Sequence, residues 1–104
     1  MAEFVKQGEV NVAGTILYIG TASPVLTKIT TLRFYNALPY VLTLERYDAI
    51  TATSEVIYEL TLGAGDTVTD DLLYALKEGD ELVVYSNIPG TTYYVYGIDY
   101  ASSW

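Results

Sequence analysis

Six carboxylates crowd one stretch of the chain: Asp66, Asp70, Asp71, Glu78, Asp80 and Glu81. Side chains of this type can do two kinds of chemistry. Their oxygens can ligate Ca²⁺, and a pair of them across a glycosidic bond can hydrolyse it. The spacing matches no EF-hand loop, and no Trp- or Asn-rich cleft accompanies the acids, the single Trp being Trp104. Solvated loop carboxylates are therefore the favoured reading, with a hydrolase using Asp66 or Asp80 as a minor alternative. The rest of the catalytic repertoire is missing. With no His and no Cys, the chain cannot form Ser-His-Asp or Cys-His constellations. Disulfides and Cys-based metal or redox sites are excluded too, as is a cupin-type centre with His ligands. The segment Gly63-Ala64-Gly65-Asp66 lacks the Lys and following helix of a phosphate-binding loop. No cofactor and no catalytic residue is expected.

Tyrosine is the other conspicuous chemistry, at 11 of 104 residues. That is more than a small two-layered fold can hide. A run such as Thr92-Tyr93-Tyr94-Val95-Tyr96 puts rings on both faces of a strand. Tyr buries a large apolar body and keeps a polar tip, which suits wet protein interfaces. The same rings can instead pair across strands and stiffen a sheet, and both readings stand. Aromatic surfaces also bind sugars. The candidate interface residues are Phe4, Val5, Tyr85, Tyr93, Tyr94, Tyr96, Tyr100 and Trp104, with no metal or cofactor ligands among them.

The elements that must position these groups are strands. Two Gly-Asp turns punctuate β-like runs, at Leu62-Gly63-Ala64-Gly65-Asp66 and at Leu76-Lys77-Glu78-Gly79-Asp80. Gly accepts a positive φ, and Asp bonds nearby backbone, so each pair favours a sharp reversal. Alternation around the turns predicts strands at 4–12 (weak, interrupted by Gly8), 15–19, 25–35, 40–47, 56–62, 66–69, 81–86 and 91–100. Residues 70–75 read as a strand or a short helical turn, and 21–24 and 48–54 as loops. Along 25–35, Thr30, Leu32 and Phe34 are expected on one face and Ile29, Thr31 and Arg33 on the other. Along 56–62, Val56, Tyr58, Leu60 and Leu62 should share a face. About eight strands with polar turns predict an all-β antiparallel sandwich, jelly-roll-like or Ig-like. Residues 1–13 read as an N-terminal docking arm or weak strand ahead of a single domain over 14–104. The trailing Ala101-Ser102-Ser103-Trp104 also reads as a docking segment.

At 104 residues the chain is long enough for one domain with its own core. The formal charge is −8, and it is uneven: residues 48–104 hold ten acidic groups and Lys77 as the sole base. Such a surface repels phosphate backbones, so no nucleic-acid partner is expected. A basic protein partner remains compatible with it. No apolar stretch approaches the roughly 20 residues that span a bilayer, so no membrane partner is expected. Residues 1–6 lack the basic and apolar regions of a signal peptide, which predicts assembly in the cytoplasm.

Five segments together carry a resemblance. They are Gly14-Thr15-Ile16-Leu17-Tyr18, Lys28-Ile29-Thr30-Thr31-Leu32-Arg33-Phe34-Tyr35-Asn36, Leu60-Thr61-Leu62-Gly63-Ala64-Gly65-Asp66-Thr67-Val68, Leu76-Lys77-Glu78-Gly79-Asp80 and Tyr96-Gly97-Ile98. Their order over residues 14–100 resembles the small β-sandwich virion proteins of tailed bacteriophages. That resemblance implies a structural head decoration (capsid auxiliary), neck or tail accessory subunit, and it carries no catalytic residues. It implies other virion proteins as partners (major capsid, neck or tail subunits), many copies or a homo-oligomer on a symmetric particle, and a virion location. The alternative from another class is a carbohydrate-binding, host-recognition module on a fibre or tail.

Overall fold

The computed structural model describes residues 2–20, 25–71 and 74–101. The expected loop 21–24 and Trp104 lie outside the described residues. The fold is all-β. Among the described residues nine strands are present: β1 Ala2–Glu9, β2 Thr15–Ile19, β3 Val25–Tyr35, β4 Tyr40–Asp48, β5 Thr53–Leu62, β6 Thr67–Asp70, β7 Tyr74–Leu76, β8 Glu81–Ser86 and β9 Thr92–Ala101. They form two antiparallel sheets. The first runs β1-β9-β3-β6, with β7 also paired to β3; the second runs β2-β8-β4-β5. Most connections cross from one sheet to the other, whereas β4 and β5 form a hairpin within the second. This wrapping of a five-strand layer against a four-strand layer is that of a jelly roll. Of the segment 70–75, open between strand and helical turn, Asp70 ends β6 and residues 74–75 begin β7, while residues 72–73 lie outside the described residues.

Alternation explains most of the core. Leu42 and Leu44 of β4, Leu82 and Val84 of β8, Leu32 and Phe34 of β3, and Val95 of β9 are buried between the sheets. β1 belongs to this body. It pairs with β9 from Ala2↔Asp99 to Glu9↔Thr92, and Val10 just beyond it is a core residue.

Two expectations about faces are overturned, each by an irregularity in register. Between Ile29 and Thr31 the pairing of β3 with β9 shifts. The extra residue restores the inward aim, so Ile29 is buried with Leu32 and Phe34 rather than opposite them. Between Leu44 and Glu45 the pairing of β4 jumps from Tyr58 to Val56. Val56 therefore lies outward, 54% exposed, while Ile57 and Tyr58 pack against the core. β5 also begins at Thr53, inside the expected loop.

Candidate functional site

The acidic stretch does not converge. Asp66 is exposed and accepts the Gly63 N–H at 2.9 Å within its own turn. Asp80 is 1% exposed. It accepts the Arg46 Nη2 donor at 2.7 Å, the Ala49 N–H at 3.0 Å and the Lys77 N–H at 3.2 Å. Asp70, also buried, accepts the phenols of Tyr58 at 2.9 Å and Tyr74 at 2.6 Å. Tyr58 stands on the second sheet and Tyr74 on the first, so Asp70 fastens the two layers on their β5–β6 side. Both phenols have their pKa raised, first by burial and then by the hydrogen bond to Asp70. Asp71 and Glu78 point to water, and Glu81 is partly buried. Among the described residues no cluster of three or more His, Cys, Asp or Glu is arranged to hold a metal.

The aromatic candidates divide by strand parity. Phe4 and Tyr93 turn inward and pack against the core. The Phe4 ring stacks on Tyr18 across the sandwich, with centroids 4.1 Å apart and planes 13° apart. It can do so because Gly97 opposes it in β9: a Cβ there would collide with the ring and approach the Lys28 carbonyl oxygen to 2.8 Å. Phe4 thus packs inside the sandwich, while Tyr93, partly buried against the core, also lines an open groove beside Arg33. Val5, Tyr94 and Tyr96 lie on the outer face of the first sheet, where Val5 opposes Tyr96 and Gln7 opposes Tyr94. Tyr85 lies on the outer face of the second sheet, against Gly14. The Tyr100 side chain is outside the described residues.

Two further groups stand on the outer face of the first sheet, which by register also carries Glu3, Glu9 and Lys28. Arg33 opposes Tyr94, and the Arg33 guanidinium lies 6.0 Å from the centre of the Tyr94 ring. Tyr35, two residues along β3, is 42% exposed. Gln7, Arg33, Tyr35, Thr92 and Tyr94 line an open groove of about 620 Å³. The period-2 pattern of Leu32 and Phe34 inward, Arg33 and Tyr35 outward, is the signal by which these residues could have been selected. The arrangement offers flat aromatic area, one cation and several hydrogen-bonding groups on a rigid sheet. It is suited to adhesion, and it assembles no nucleophile with a base.

No family model matches the chain, and no curated protein is similar to it. Among solved structures, one described as Bacillus endospore appendages forming a novel family of disulfide-linked pili is similar over 98% of this chain and 87% of its own. The TM-score is 0.52 at 11% sequence identity. The likeness is one of fold.

Proposed function

We propose that this chain is a non-enzymatic structural subunit, used in many copies on a symmetric assembly. The observation that carries this reading is the outer face of the first sheet, where Val5, Tyr35, Tyr94 and Tyr96 stand together on paired strands. Exposed aromatic area of that kind favours burial against a partner. The shared fold with an appendage described as a pilus supports the same class of role. That neighbour is described as disulfide-linked, whereas this chain has no Cys, so disulfides do not join its copies.

The assembly is proposed to be the virion of a tailed phage, on the resemblance carried by residues 14–100. Within it the chain acts as a capsid auxiliary or decoration protein, with neck and tail accessory positions as variants of that role. Many weak contacts on a lattice would hold it by avidity. Mass spectrometry and subunit-resolution imaging of particles purified from producing cells test this: the chain should be present in fixed stoichiometry. Its recovery solely as free protein would sink the reading. A second reading, a carbohydrate-binding module, is favoured by the groove over Tyr35, Tyr94 and Arg33. A glycan array would reveal it through a specific hit that is lost in Tyr94→Ala.

A further inference from the structure

The two outer faces of the sandwich differ in charge and in apolar chemistry. On the first sheet, Arg33 sits in an aromatic frame between Tyr94 and Tyr35. On the second, one cross-strand row reads Ile16–Val83–Glu45–Val56. Glu45 is thereby framed by aliphatic groups, of which Ile16 is 46% and Val56 54% exposed. Ile19, 49% exposed, extends the patch beside Glu81. Among the described residues this second face presents no Lys or Arg, because Arg46 is turned to Asp80.

We propose that the outer face of the first sheet docks on the outer face of the second sheet of another copy, with Arg33 set against Glu45. This rests on the structural-subunit reading and names the partner. The charge complementarity is local: one guanidinium in an aromatic surround meets one carboxylate in an aliphatic surround. Once water is excluded, the attraction within such a pair exceeds that of an exposed one, and an unmatched charge at either position carries the full cost of desolvation. The faces lie on opposite sides of the molecule, so the contact is heterologous and a stack of any length keeps one free face of each kind at its two ends. Growth is open-ended. With sheets about 10 Å apart both within and between copies, the stack would repeat every ~20 Å.

Sedimentation equilibrium of the full chain from micromolar to millimolar concentration tests this, alone and in charge-reversed variants. Wild-type mass should rise past the dimer without a plateau. R33E and E45R should each weaken association at least about tenfold. An equimolar mixture of the two should recover it, because every contact then pairs opposite charges. Thermal melts matching wild type establish that each variant is folded. A wild type that stays monomeric, a closed dimer, or folded variants that fail to complement each other would overturn the proposal. If the chain joins purified particles in fixed stoichiometry yet never self-associates, stacking is wrong and the structural-subunit reading survives. If it stacks but joins no particle, the stacking stands and the virion reading falls.

Discussion

In turn 63–66 the Asp66 carboxylate accepts the Gly63 N–H at 2.9 Å, and in turn 77–80 the Asp80 carboxylate accepts the Lys77 N–H at 3.2 Å. The backbone closes each turn in the same direction, Asp66 N–H to the Gly63 carbonyl at 3.2 Å and Asp80 N–H to the Lys77 carbonyl at 3.0 Å. Gly65 and Gly79 both take a positive φ, 76° and 82°. The first turn is also tied to distant backbone, Gly65 N–H to the Asn36 carbonyl at 3.0 Å and the Tyr40 phenol to the Asp66 carbonyl at 2.7 Å, so the difference lies in the two carboxylates. The Asp66 side chain serves its own turn and water. Asp80 also holds Arg46 and the start of the β4–β5 turn at Ala49, and its carbonyl accepts the Gly20 N–H at 2.7 Å. One local device has become a surface reversal in one place and a buried junction of three chain segments in the other. Burial, not the motif, sets its energetic importance.

Substitutions at the two turns should widen this contrast. The largest effect is expected for Asp80→Ala, which leaves the Lys77 and Ala49 N–H groups and Arg46 short of an acceptor. It should cost about 3 kcal/mol in urea unfolding. A loss under 1 kcal/mol would show that Asp80 is no junction. Gly79→Ala comes next, at about 2 kcal/mol, since left-handed backbone strain adds to a contact 2.9 Å from the Ala49 Cβ. Gly65→Ala carries the strain without the contact, nothing lying within 4 Å, and should cost about 1 kcal/mol.

Asp70 sharpens the comparison, being buried like Asp80 but held by neutral phenols. Tyr58→Phe removes one donor and should cost about 1.5 kcal/mol at neutral pH. The sign of its pH dependence follows from the raised pKa values of Tyr58 and Tyr74. Above the ordinary phenol value of about 10, the unfolded chain loses those protons while the native one keeps them. Stability is thus full below that pH and falls as pH rises beyond it. Tyr58→Phe should make the alkaline decline shallower in chemical denaturation. An unchanged slope would mean that Tyr58 ionises as easily in the fold as out of it. The smallest effect belongs to Asp66→Ala, at about 0.5 kcal/mol, and parity with Asp80→Ala would erase the distinction between the turns.

Alternation was enough to find most strands, because a sheet with one buried face imposes period 2 on Leu42, Leu44, Leu82 and Val84. It failed at Ile29 and Val56, where a register shift reverses the parity that a continuous pattern would give. Of the candidate interface, Val5, Tyr94 and Tyr96 share a face, while Phe4 and Tyr93 face the core. Strand parity within 92–96 already separates Tyr93 from Tyr94, but which parity is inward depends on the sheet that covers it. Arg33 and Tyr35 were readable as outward from their alternation with Leu32 and Phe34. Their meeting with Tyr94 and Gln7 required the pairing of β9 between β1 and β3.

By itself the sequence determined the class of fold, the two Gly-Asp reversals and the want of His- or Cys-based chemistry. All three follow from residue type and near-neighbour spacing, which act over a few residues. The tertiary structure alone decided that Asp80 is a buried junction while the Asp66 carboxylate is not, that Phe4 fills the space over Gly97, and that Arg33 meets Tyr94 on one outer face while Glu45 lies between Val83 and Val56 on the other. Those outcomes depend on contacts between residues as far apart as 4 and 97, and no local pattern encodes which distant strand will lie opposite.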